Sequence, residues 1–135
     1  MPMPITAAVA AACALLLLFT AVLTVQQRLR LKVAFGDGGD ARLVSASRSH
    51  ANLAEHAPIV ILLLGLLENA GASTTALTVV GGLFVLGRVA HIIGLHTPSV
   101  PGKAPVPRQI GVILTWLTLA GLSGWTILLL ASRAI

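Results

Sequence analysis

The sequence predicts an all-α membrane protein: one domain over residues 1–135, built as a four-transmembrane-helix bundle. Three observations carry that prediction. Apolar residues make up 56% of the chain and charged residues only 10%, against roughly 25% charged in a soluble domain. Two runs, Ile5–Val25 and Ile110–Ala131, carry no charge at all, and each reaches the ~20 residues that cross a hydrocarbon core as helix. Two further apolar segments lie between them. A soluble fold of 135 residues could not hide so much apolar surface, and a mean hydropathy of +0.95 is the reverse of a disordered composition.

The first element, about 5–25, lacks a basic leader region and exceeds the roughly 7–15 apolar residues of a signal peptide. It is expected to stay in the membrane as a helix. The connection Gln26–Ala46 contains Gly36-Asp37-Gly38-Gly39-Asp40, residues that supply positive φ and local side-chain hydrogen bonds, so a tight turn is expected. The second helix covers about 47–67 and the third about 74–95; both carry polar residues toward one end. The fourth covers about 110–131. Gly81, Gly82 and Gly87 in the third helix, and Ala120-x-x-x-Gly124 in the fourth, favour close helix packing. Cys13 is the single cysteine. No internal disulfide and no Cys/His zinc spacing is possible, so no metal is expected.

Lys and Arg number nine against four Asp and Glu. Such a balance can point to nucleic acid, but here the basic residues sit in connections beside apolar spans, and no nucleic-acid partner is expected. Arg28, Arg30, Lys32, Arg42 and Arg48 flank the first connection. Lys103 and Arg108 flank the third, and Glu68–Ser73 holds no basic residue. Counting Lys and Arg places connections one and three in the cytoplasm and both termini outside.

The polar residues inside the spans are informative. At ~100° per residue, Arg48, Asn52 and Glu55 fall within about 60° of one another. Glu55 lies about 10 Å deeper than Arg48. An ionisable residue in a membrane helix is costly unless paired or facing water, so the stripe is expected to face the bundle interior as a functional site. Arg88 and His91 share a face of helix three at similar depth, and Arg108 opens helix four. The cations outnumber the carboxylate. That favours an anionic ligand with an amine or amide for Glu55 to receive. The plainer alternative is that Arg48–Glu55 or Arg88–Glu55 pairs simply hold helices in register. His50 points away from the stripe, toward an interface; His56 stands at its edge. His96 is expected in a loop and Glu68 at a solvated helix end. Trp125 reads as an interfacial anchor and Trp116 as a packing residue.

Arg48-x-x-x-Asn52-x-x-Glu55-x-x-Pro58, followed by an apolar helix, resembles the second helix of the MAPEG superfamily, membrane-associated proteins of eicosanoid and glutathione metabolism. Gly87-Arg88-x-x-His91 and Arg28-x-Arg30 match further family features. The stretch from Gly36 to Glu55 looks especially like the bacterial branch. The resemblance covers nearly the whole chain and implies a bacterial inner-membrane homotrimer with glutathione as co-substrate, bound between adjacent subunits near the cytosolic side. By position, it implies glutathione contacts for Arg48, Asn52, Glu55, Arg88 and His91, with Arg28 reaching in from the end of helix one. Arg108 matches the arginine that stabilises the thiolate. The chemistry of these side chains agrees: arginine forks bind carboxylates, and a guanidinium beside a thiol raises its thiolate fraction. The thiolate would attack a lipophilic electrophile or hydroperoxide held with membrane lipid at the bilayer edge.

The chain departs from the family in having no tyrosine. His56 stands where a tyrosine commonly follows the glutamate. Leu95 and Gln109 replace a tyrosine and a serine of the prostaglandin E synthases, which argues against a dedicated eicosanoid synthase. Three functions are therefore weighed: a glutathione-dependent transferase or peroxidase; a non-catalytic lipid- or thiol-binding scaffold; and a small transporter. A transporter of that type would carry its glutamate at mid-membrane in helix one, which here is uncharged.

Overall fold

The computed structural model describes residues 2–100 and 102–133; Met1, Pro101 and residues 134–135, and with them the extreme termini, lie outside the described residues. Four helices follow in order: α1 (Pro4–Leu31), α2 (Ala41–Asn69), α3 (Thr74–His96) and α4 (Val106–Arg133). All four are long and apolar enough to span a membrane. At ~1.5 Å per residue they run roughly 35–43 Å, longer than a ~30 Å hydrocarbon core. Each expected segment lies inside one of these helices, but the helices overrun the apolar runs. Arg28, Arg30, Arg42 and Arg48 therefore sit on helical turns rather than in a long loop.

The ends have local causes. α1 starts with Pro4 at its first positions, where the missing N–H costs nothing. It stops at Lys32, which adopts the left-handed conformation at φ 55° while the Lys32 and Val33 N–H groups bond back to Leu29 and Arg28. Asp40 caps α2, its carboxylate accepting from the Arg42 and Leu43 N–H groups. Asp40 also takes the Arg30 guanidinium at 2.7 Å. Ser73 caps α3 through the Ala76 N–H. Pro58 lies inside α2, and its missing donor leaves the Ala54 carbonyl without its helical partner.

Neighbouring helices run antiparallel. α2 and α3 pack on each other and on both remaining helices, whereas α1 and α4 make no contact among the described residues. α1 and α4 thus form opposite flanks of a central α2–α3 pair. The core comprises such residues as Val9, Leu53, Val60, Leu64, Phe84 and Leu122, with the free Cys13 buried among them. The exposed shell is apolar: Leu18, Leu86, Leu117 and Leu128 are all more than half exposed. Arg88, Thr20, Ser49 and Thr115 are buried. This inside-out distribution is what lipid as solvent requires, since polar groups then find partners only within the protein.

Several sequence expectations change. Glu68 is not a free solvated end: its two oxygens accept from the Ile5 and Thr6 N–H groups at 2.9 and 2.8 Å and from the Thr6 hydroxyl. It thereby caps α1 across the bundle. Trp116 is 65% exposed and faces outward, whereas Trp125 packs against the core. His96 is the last residue of α3 rather than a loop residue. His50 Nδ1 meets the Thr20 hydroxyl between α1 and α2. The close helix approaches are partly where expected: a Cβ on Gly81 would lie 2.7 Å from Val9 Cγ2 and one on Gly87 3.0 Å from Leu114 Cβ. Gly82 and Gly124 have open space where a side chain would begin, but a Cβ on Gly111 would lie 2.6 Å from the Gly87 carbonyl oxygen, and one on Gly94 would overlap the Arg108 backbone. The α3–α4 seam is therefore held by Gly87, Gly94 and Gly111.

Candidate functional site

At the end of the bundle that carries the α1–α2 and α3–α4 connections, three helix ends enclose a cavity of about 260 Å³. α2 contributes Val44, Ser45 and Arg48; the end of α3 and its following turn contribute Gly94, Leu95, Thr97 and Ser99; the start of α4 contributes Pro105 and Arg108. Arg48 and Arg108 thus approach one space from two helices. Gly94 makes this possible, because only a residue without Cβ lets the α4 backbone at Arg108 lie against α3. Both arginines are exposed, and neither forms an ion pair with an acidic side chain among the described residues. The cavity presents two guanidinium groups and several hydroxyls without a carboxylate.

Arg108 also borders a second hollow of about 390 Å³, lined by Ala104 of the preceding connection and by Gln109, Val112 and Ile113 of α4. One guanidinium therefore stands between a polar cavity and an outward-facing groove where Val112 and Ile113 lie beside Gln109. A larger groove of about 520 Å³ between α1 and α3 lies at the opposite end of the bundle, around Pro4, Ile5, Gly81 and Gly82. Its lining offers no ionisable group.

Below the polar cavity lies a buried network. Arg88 Nη1 donates to the Asn52 side-chain oxygen at 2.5 Å, while Nη2 donates to the Gly111 carbonyl oxygen at 2.9 Å and to the Thr115 hydroxyl. Its guanidinium carbon stands 5.6 Å from the Phe84 ring centroid, a cation–π contact. Arg88 joins α2, α3 and α4. His91 lies one turn along, its Cβ against Gly111, buried to 5% exposure. Arg88 Nε and His91 Nδ1 have no hydrogen-bond partner among the described residues.

The expected residues therefore separate. Asn52, Arg88 and His91 come together inside the chain. Arg48 and Arg108 meet at the cavity above. Glu55 is exposed on α2 with no ion pair among the described residues; it and Arg48 face outward, not into the bundle interior. The reason is helical phase: Leu53, Ala57, Val60 and Leu64 set the buried face of α2, and only Asn52 reaches its margin. The alternative of Arg48–Glu55 or Arg88–Glu55 register pairs is not realised. Arg28, on the α1 flank, donates from Nη1 to the Ala34 and Gly36 carbonyl oxygens. His56 Nδ1 bonds the Asn52 backbone oxygen at 2.7 Å, so that nitrogen carries a proton as donor. Ser45, Thr97, Ser99, Gly111 and Thr115 were absent from the sequence reading. Gly94 and Gly111 were the available signal, as small residues bracketing the α3–α4 connection.

Fold and site define a polytopic membrane protein with a basic pocket at one end of an antiparallel four-helix bundle. The MAPEG family model matches residues 6–128. Inner membrane protein YecN of Escherichia coli (strain K12) is 38% identical over 115 residues, covering 85% of this chain and 84% of that protein. The protein of the same name from Escherichia coli O6:H1 matches equally. No solved structure matches. The chain belongs to the MAPEG family and is an integral inner membrane protein.

Proposed function

We propose that this chain is a membrane-bound glutathione-dependent transferase or peroxidase. The observation that carries the reading is the convergence of Arg48 and Arg108 on one polar cavity without a carboxylate. Glutathione has two carboxylates, an amine and a thiol. Arginine forks suit the carboxylates, and uncompensated guanidinium groups favour the anionic form of the thiol. Arg48 serves as a carboxylate anchor and Arg108 stands beside the sulfur. Asn52, held by Arg88, offers its remaining amide group, and His91 keeps the α3–α4 seam against Gly111.

Arg108 also borders the outward groove on α4, where a lipophilic co-substrate would arrive from the bilayer. The thiolate then attacks an electrophilic carbon, forming a C–S bond as the leaving group departs with its electron pair. With a hydroperoxide it attacks the terminal oxygen and the O–O bond breaks. The carbon-bound oxygen departs with the electron pair and takes a proton from solvent to leave as the alcohol, and a second glutathione thiol reduces the resulting sulfenic acid, giving the disulfide and water.

A homotrimer accounts for the residues that one chain keeps apart. Arg28 lies on the α1 flank, Arg108 on the α4 flank, and α1 and α4 do not touch among the described residues. Glu55 faces outward. A neighbouring copy packed against α2 would bring Glu55 to the amine of a ligand held by Arg48 and Arg108, and Arg28 to the same site. The Lys/Arg distribution supports a cytoplasmic placement of this end, with both termini outside. The lack of tyrosine favours a second reading, a non-catalytic thiol- or lipid-binding scaffold.

The test is a glutathione titration of the detergent-purified protein, followed by thiolate ultraviolet absorbance and by calorimetry. A thiolate signal at neutral pH that disappears in Arg108→Ala supports the transferase. Binding heat without thiolate selects the scaffold. No binding heat overturns both as glutathione sites.

A further inference from the structure

We infer that the groove at the end of α1, headed by Lys32, binds an anionic phospholipid of the surrounding bilayer. The groove encloses about 490 Å³ between Val25, Arg28, Leu29 and Lys32 of the helix end and Val33 and Ala34 of the connection. Val25, Leu29 and Lys32 are four and three residues apart and lie on one helix face. Val25 and Leu29 are 54% and 73% exposed, and Lys32 is exposed beyond them. The far wall is built by hydrogen bonds rather than left to a loose loop: Arg28 Nη1 holds the Ala34 and Gly36 carbonyls, and the Val33 N–H bonds the Arg28 carbonyl. Phe35, at 92% exposure, stands on the same turn, where aromatic residues mark the membrane–water interface.

Polarity along the groove runs as in a phospholipid. The uncharged stretch of α1 up to Val25 comes from the hydrocarbon side, Leu29 follows beside Arg28, and the Lys32 ammonium group heads the groove where α1 leaves the ~30 Å core. A basic side chain here has the depth of a lipid phosphate.

Charge complementarity chooses the occupant. The chain has four carboxylate side chains. Asp40 is taken by Arg30 and the start of α2, Asp37 by the Gly39 N–H, and Glu68 caps α1 at the opposite end. Glu55 has no partner among the described residues, but it lies within α2, and the glutathione reading commits it to a ligand amine. A second copy therefore has little negative charge to offer Lys32, whereas the bilayer has a surface of it. Arg28 is a wall residue here and, in the glutathione reading, reaches a neighbouring copy's site; the lipid contact assigned is that of Lys32, and Lys32→Gln leaves Arg28 in place.

Native mass spectrometry of the detergent-purified full chain tests this, with phosphatidylglycerol titrated against phosphatidylcholine. The expected result is preferential retention of one phosphatidylglycerol per chain. Lys32→Gln should weaken that retention by about fivefold, the factor expected for one basic side chain at an anionic lipid surface, while leaving phosphatidylcholine retention unchanged. Lys32→Gly relieves the positive φ and should lose the lipid equally while folding at least as well. Lys103→Gln, an exposed cation at the same end, should keep the preference. Equal retention of the two lipids, an unchanged preference in both Lys32 variants, or loss of it in Lys103→Gln overturns the proposal. So does displacement of the lipid by millimolar inorganic phosphate, which would make the site a free-anion site. A changed oligomer mass in Leu29→Gln, without a change in lipid preference, overturns it in favour of an interface between copies.

Discussion

Arg88 on α3 donates to the side-chain oxygen of Asn52 on α2, so two residues expected at the ligand site tie helices together. The other bonds of Arg88, to the Gly111 carbonyl and Thr115 hydroxyl, reach α4. A guanidinium is suited to this because it fans several donors from one plane, and each acceptor here belongs to a neutral group. Arg88→Met should lower stability by roughly 2–3 kcal/mol, the scale of hydrogen bonds to a charged group in a buried setting. Asn52→Leu should cost less, and the double variant should show coupling. Thermal unfolding in detergent checks this; additive effects of the two substitutions would argue that the contact is energetically idle.

The α3–α4 seam gives a second contrast. Gly111→Ala places a Cβ against the Gly87 carbonyl and His91, and the helices must part. A loss of about 1–3 kcal/mol is expected from such overpacking, together with weaker glutathione binding as Arg108 shifts away from Arg48. Gly124→Ala meets nothing within 4 Å and should raise stability by up to about 1 kcal/mol through helix propensity. Destabilisation in Gly124→Ala would reveal a second copy pressed against that face.

The fold was legible because hydropathy and charge placement alone specify spans and their ends in a membrane protein. Helix overrun was not: Asp40 rather than Ala46 begins α2 because its carboxylate satisfies two free N–H groups, a local effect hidden beneath the polar composition of 26–46. Helical periodicity placed Arg48, Asn52 and Glu55 on one face, as the structure does. It could not say whether that face looks inward, since the residues of the buried face, Leu53, Ala57, Val60 and Leu64, are no more apolar than the outward-facing Ile59 and Leu62. The role of Glu68 escapes local sequence for a similar reason. Its partners, Ile5 and Thr6, are more than sixty positions distant, and nothing local announces them.

Asp40 makes stability at the α2 end pH-dependent. The hydrogen bond from Arg30, with those from Leu43 and Arg42, holds its carboxyl below the ordinary value of 3.8. A lowered folded-state value means that the stabilising contribution is complete above the unfolded-state value and fades as pH falls through the folded one. Hydrogen exchange at the Arg42 and Leu43 amides should accelerate in that acidic window relative to mid-helix amides. Asp40→Asn keeps a capping oxygen but removes the titration, so its end-fraying should be independent of pH there. Identical acid profiles in the two proteins would sink this assignment.

Arg48 and Arg88 should separate binding from folding. Arg48 is exposed at the cavity and makes no hydrogen bond to the described residues, so Arg48→Ala removes no internal support. Surface substitutions of this kind change stability by within about 0.5 kcal/mol. If its fork holds a glutathione carboxylate, the loss of a charged hydrogen bond of about 1.5–3 kcal/mol weakens affinity roughly 10–100-fold. Arg88→Met, by contrast, should lower stability first and affinity only as Asn52 loses its position. Calorimetric affinity and unfolding midpoint measured on both variants therefore give opposite signatures. A large stability loss in Arg48→Ala, or undiminished affinity despite a folded protein, would remove Arg48 from the proposed ligand site and leave Arg108 as its only anchor.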